Sequence, residues 1–154
     1  TRPVPHGRLL PGLVAELAAA GIDRQDVLIL VATGLHRPND GHELREVVGS
    51  WRSEADLERR AQRLRRRLGL EALLLTRGGD GMTLYRDGRV LHVKAELREV
   101  YDVSGAGDTV IATLATMLAA GVALEPAVRY ANRAGGIKVT KLGTAVVTRK
   151  ELFG

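Results

Sequence analysis

Asp102-Val103-Ser104-Gly105-Ala106-Gly107-Asp108-Thr109 sets three residues with almost no side chain between a polar turn and a long apolar run. That run, GDTVIATLATMLAAG, repeats its large apolar residues at helical spacing, so the small residues stand where a loop becomes a helix beginning near Gly107. The first amides of a helix have no partner inside it and lie at the positive end of its dipole. With only hydrogen or methyl side chains at Gly105, Ala106 and Gly107, an anion such as phosphate could come close to those amides. Asp108 would then stand in the first turn beside the anion. Its carboxylate could accept a proton from an attacking hydroxyl while the amides hold the charge developing on phosphate. A second reading makes the same residues a tight turn, with Asp108 an ordinary helix-start carboxylate. Spacing alone leaves both open.

The elements that must position this turn follow from the apolar pattern. Leu9, Leu10, Leu13, Val14 and Leu17 describe one helical face closed by Gly21. DVLILVATG reads as a strand buried on both faces, followed by a polar loop, HRPNDG, and helical HELREVVG. SWRSEADLERRAQRLRRRLG predicts a helix capped by Ser53, with Leu57, Ala61, Leu64 and Leu68 towards the core and its arginines on a solvated face. EALLLTRGGDG is a second buried strand ending in a glycine-rich turn. MTLYRDGRVLHV predicts a hairpin about a type I′ turn at Asp87-Gly88. In the apolar helix, Val110, Ile111, Leu114 and Leu118 should face inward, and Pro126 suits the first turn of the helix after it. Helices alternating with apolar strands predict one α/β domain over residues 1–154, a layered Rossmann-like sandwich with a small, mostly parallel sheet plus the hairpin.

Composition narrows the chemistry. Of 154 residues 45% are apolar but only 3% aromatic, so the core must be aliphatic. The absence of cysteine excludes disulfides and thiolate metal sites and points to an intracellular, cytoplasmic setting. No apolar segment approaches the roughly 20 residues of a membrane-spanning helix, so no membrane partner is expected. The chain opens on Thr1 rather than Met, which points to sequence upstream. The net charge of +5 gathers in ERRAQRLRRRLGL, where acidic residues precede basic ones as a helix dipole favours and stacking aromatics are scarce. Nucleic acid is therefore not the expected partner.

DVSGAGDT resembles the signature of the ribokinase-type sugar kinases. The likeness extends through LGLEALLLTRGGDGMTL, LREVYDVSGAGDTVIATLATMLAAG and ANRAGGIKVTKLGTAVVT, which are similar to the C-terminal half of the heptose 7-phosphate kinases over residues 50–152. The resemblance implies ATP and Mg²⁺ as cofactors, Asp108 as catalytic base, and an anion hole at Gly105, Ala106 and Gly107 flanked by Asp102 and Thr109. It places Thr76, Gly78 and Gly81 by the nucleotide, with Asn132, Gly143 and Thr144. From the residues alone these are turn and cap positions, and Asn132 a helix-surface amide.

Residues 1–49 resemble instead the N-terminal domain of the lactate racemase family, through Thr1-Arg2-Pro3-Val4-Pro5 and Thr33-Gly34-Leu35-His36-Arg37-Pro38. That likeness would give Arg2 to a cofactor and substrate site and make His36 a proton-transferring histidine. The remaining parts of such an enzyme are missing, so no nickel-pincer cofactor is expected. The two resemblances meet near Val48 to Trp51, as in a recombined or engineered chimera. The kinases also carry an asparagine and a glutamate three apart, concerned with metal and phosphate. Asn39 and Glu43 are one residue further apart than that, and with His36, Asp40 and His42 they form the candidate metal-binding loop, or an ordinary surface loop.

Three functions follow as expectations. The first is binding of a nucleotide or small phosphorylated ligand, with at most weak phosphoryl transfer, because the sugar pocket and lid are absent and positioning is worth roughly 7–11 kcal/mol of barrier. A phosphoester hydrolase using the same cradle or a metal is the second. The third is an inactive product of fold recombination. Half a kinase sheet would leave an apolar edge, which favours a homodimer.

Overall fold

A computed structural model of the protein describes residues 28–31, 49–96, 99–143 and 145–154. Its elements are β1 (Leu28–Val31), α1 (Glu54–Leu68), β2 (Ala72–Thr76), a 3₁₀ turn (Gly78–Asp80), β3 (Met82–Arg86), β4 (Arg89–Val93), α2 (Ala106–Ala119), α3 (Leu124–Lys138) and α4 (Arg149–Phe153). The expected helix over Leu9–Leu17 with its Gly21 cap, the HRPNDG loop and helical HELREVVG lie outside the described residues, apart from Gly49 at the last of them. So do Arg2, His36, Asn39, Asp40, His42, Glu43 and Thr144.

The strands form one sheet in the order β1-β2-β3-β4. A sheet dominated by parallel strands was the expectation, and the connections overturn it. Five residues join β2 to β3 and two join β3 to β4, whereas a parallel crossover needs a dozen or more. Those three strands therefore run antiparallel, and only the β1–β2 connection, which contains α1, has room for a crossover.

The described residues group into two compact units. The first comprises 28–31, 49–75 and 84–90. The Ser53 hydroxyl accepts from the Asp56 amide at 3.2 Å and starts α1. Gly69, at φ 67°, ends it in the left-handed conformation that glycine adopts without penalty. Leu57, Ala61 and Leu64 of α1 pack on Leu73 and Leu75 of β2 and Tyr85 of β3, with Leu68 half-buried at the margin. Each buried leucine contributes about 2 kcal/mol, against about 0.3–0.5 for helix-surface ion pairs such as Asp56 with Arg59 and Arg60. Packing decides where this helix lies.

Two expectations fail in this unit. Arg65 is not on the solvated face: its side chain is buried, and its guanidinium donates to Gln62 Oε1, the Leu70 carbonyl and Asp87 Oδ1 at 2.9, 2.9 and 3.0 Å. Three acceptors replace the water it loses. The hairpin turn is not type I′ either, since Gly88 has φ 63° but no non-glycine residue has a positive φ among those described, and type I′ requires one at Asp87 as well.

The second unit comprises 76–83, 91–96, 99–143 and 145–154. Here α2 and α3 pack together, and the small residues Ala127, Ala131 and Ala134 on the buried face of α3 allow a close approach. A Cβ on Gly135 would stand 2.9 Å from Val110 Cγ2, so glycine sets how near the helices come. The buried stripe of α2 is Val110, Leu114 and Met117, while Ile111 is 39% exposed and Leu118 half-buried. Relative to the expected face the helix is rolled towards Met117. It also begins one residue earlier, at Ala106, and α3 begins at Leu124 with Pro126 in its first turn. Thr148 and Glu151 form a capping box that starts α4. Phe153 then meets the ring of Tyr130 with centroids 5.1 Å apart.

Candidate anion site at the entrance of α2

Gly105 is the N-cap of α2, at φ 72° and ψ 8°, a conformation that a residue with a Cβ rarely adopts. Its carbonyl accepts from the Thr109 amide at 3.0 Å and the Thr109 hydroxyl at 2.9 Å. No side chain caps the helix. The Ala106 amide turns back to the Val103 carbonyl at 3.1 Å. The amides of Gly105, Gly107 and Asp108 donate to no described group. Unpaired amides at one helix end form an acceptor-seeking, positive patch. Asp108 stands exposed in the first turn, with no ion pair among the described residues. The chemistry offered is anion binding with a carboxylate at its side.

The loop before the cap is fixed from two directions. Tyr101 and Asp102 both donate their amides to the Val139 carbonyl, at 2.8 and 3.2 Å. The Asp102 carboxylate accepts from the Ser104 amide through Oδ1 and from the Gly143 amide through Oδ2, each at 2.9 Å. The Ser104 amide and hydroxyl, then the Gly143 amide and finally the Lys138 charge hold its pKa down to about 2. Asp102 is thus ionised at neutral pH and ties the loop to the chain beyond α3.

The glycine-rich turn after β2 has a different anchorage. A Cβ on Gly81 would stand only 2.1 Å from the Val93 carbonyl oxygen, so the turn lies directly against the 93–95 backbone. Asn132, for which a helix-surface amide was the alternative to a place by the nucleotide, is buried and donates from Nδ2 to the Lys94 carbonyl at 2.9 Å. Thr76 is buried with its hydroxyl unpaired among the described residues, and Gly78 takes φ 54°. The candidate residues therefore fall into two sets, Asp102 with Gly105–Asp108 and Gly143, and Thr76–Gly81 with Asn132.

One residue at the first set escaped the sequence reading. Lys138, the last residue of α3, is 1% exposed, and its Nζ has no hydrogen-bond partner among the described residues. Its Cε lies 3.8 Å from where a Cβ on Gly105 would be. The signal was present: residues 127, 131, 134 and 138 repeat at helical spacing on the buried face. No group of three histidines, aspartates or glutamates able to hold a metal ion exists among the described residues. Nor is any helix among them long and apolar enough to cross a membrane.

The model of the pfkB family carbohydrate kinases matches residues 34–151, and that of the lactate racemase N-terminal domain matches residues 1–59. Both expected likenesses are present, but they overlap, and the kinase match starts well ahead of the expected junction near Val48 to Trp51. A D-beta-D-heptose 7-phosphate kinase from Bordetella bronchiseptica is 61% identical over 112 residues, covering 73% of this chain and 36% of that protein. The bifunctional protein HldE of Aeromonas salmonicida is 47% identical over 150 residues, 93% of this chain and 31% of that protein. This second alignment reaches into the first 49 residues, which the sequence reading had set apart from the kinases. The chain spans about a third of the length of these two relatives. In fold it is similar to the aminoimidazole riboside kinase of Salmonella enterica solved with aminoimidazole riboside and an ATP analog, at TM-score 0.70 and 24% identity, covering 96% of this chain and 46% of that one.

Proposed function

The chain belongs to the pfkB family of carbohydrate kinases, and from that premise we propose that the entrance of α2 binds a phosphate group of ATP or of a small phosphorylated ligand. The observation that carries this reading is the set of amides at Gly105, Gly107 and Asp108 with no described acceptor. Asp108 then acts as the base that receives the proton of an attacking hydroxyl, while the amides stabilise charge on the transferring group. A Mg²⁺ ion bound with the nucleotide would supply further charge neutralisation. Because Asp108 is exposed, water can compete as acceptor, which favours slow hydrolysis of activated phosphoesters as the second reading.

A thermal-shift titration with ATP and Mg²⁺ tests the site. Ligand at 100 times its dissociation constant should stabilise the fold by about 2.7 kcal/mol. An unchanged melting temperature at millimolar ATP overturns the proposal and leaves an inert fold.

A further inference from the structure

We infer that the buried ammonium of Lys138 is the counter-charge of an anion held at the Gly105–Gly107 turn, so that Lys138 is a binding residue acting from behind the amides. The inference deepens the phosphate-binding reading and rests on it. Burying an ammonium without a partner is unfavourable unless some charge compensates it. Lys138 is 1% exposed and its Nζ has no hydrogen-bond partner among the described residues, although an ordinary lysine would extend its stem and keep the head in water. Its place is not arbitrary. The Cε stands 3.8 Å from the point a Cβ on Gly105 would occupy, and the loop over it is tied down by two amides on the Val139 carbonyl.

Charge bookkeeping gives Lys138 its role. Asp102 is ionised within the same loop and Asp108 is the next carboxylate along. A phosphate arriving at the amides would meet two negative side chains. The Lys138 charge acts on Asp102 only weakly, after the Ser104 and Gly143 hydrogen bonds, so most of it is left to offset the guest held at the amides. A merely structural lysine at a helix C-terminus would interact with the last carbonyls, yet its Nζ has none of them as a partner.

The test titrates inorganic pyrophosphate and, separately, ATP with Mg²⁺ into the wild-type chain, Lys138→Met and Lys138→Gln, with urea unfolding of each unliganded protein alongside. Both variants should bind pyrophosphate at least tenfold more weakly, with a shallower dependence on salt, while the unliganded urea midpoint holds or rises. Weakening with ATP alone would place Lys138 by the nucleoside rather than the phosphates and overturn the inference. Wild-type affinity in either variant overturns it too, while the cradle stands. No binding by the wild-type chain removes cradle and inference together. Should neither variant fold, the Lys138 ¹³Cε resonance of the wild-type chain decides: it moves on pyrophosphate addition if the inference holds, and a stationary resonance overturns it.

Discussion

Two aspartates six residues apart have opposite surroundings, and the difference assigns their roles. Asp102 engages both carboxylate oxygens with backbone amides, so it holds the geometry of the loop. Asp108 has no described partner and stands exposed beside amides without a described acceptor, the surroundings the proposed base needs. Replacing Asp108 by asparagine keeps the size and the turn but removes the proton acceptor. Phosphoryl transfer or phosphoester hydrolysis should fall by about 10²–10⁴-fold, while ATP still raises the melting temperature. Steady-state rates measured beside the thermal shift check this; undiminished turnover would move the chemistry elsewhere.

Among the elements, the contact between α2 and α3 decides where the cradle lies relative to Lys138. Gly135 sits against Val110 Cγ2 with no room for a methyl group. Gly135→Ala gains about 1 kcal/mol of helix propensity but forces an overlap that costs about 1–3 kcal/mol, so urea unfolding should show net destabilisation. In a Val110→Ala background the space exists, and the same substitution should stabilise. Coupling of opposite sign, or none, would mean that the helices do not meet through this pair. The hairpin makes a related point, because its register was legible from Asp87-Gly88 while its turn type was not. Asp87 also serves Arg65 of α1, a partner invisible in the local sequence.

For the molecule as a whole, carboxylates held below their ordinary values shape the response to acid, Asp56 in the first unit and Asp102 and Glu151 in the second. Asp102, ordinarily near 3.8, is held to about 2, chiefly by the Ser104 amide. Glu151, ordinarily near 4.5, is also held to about 2, first by the Lys141 ammonium and then by the Thr148 amide. Both fold-state values are depressed, so the unfolded chain binds protons more readily at low pH. Their stabilisation is therefore complete above about pH 5 and is lost as pH falls through the ordinary values towards 2. Unfolding midpoints measured from pH 6 to 2 should decline over that window. Asp102→Asn and Glu151→Gln should each flatten the decline, and an unaltered profile in both would show that other groups carry it.

Local rules carried much of this protein into view. Ser53 as a cap, the buried strand at Ala72–Thr76 and, to within a residue, the helix entrance near Gly107 depend on neighbours close in the chain, so the sequence determined them. Periodicity fixed that α2 is buried on one side but not its roll, since Ile111 and Met117 compete for the interior and only the packed structure buries Met117 and exposes Ile111. Tertiary structure alone decided that Asn132 reaches the Lys94 carbonyl, that Arg65 turns inward, and that Lys138 stands behind Gly105. Each depends on groups brought together from distant points of the chain, where desolvation and hydrogen bonding outweigh the solvent preference a polar residue shows in isolation.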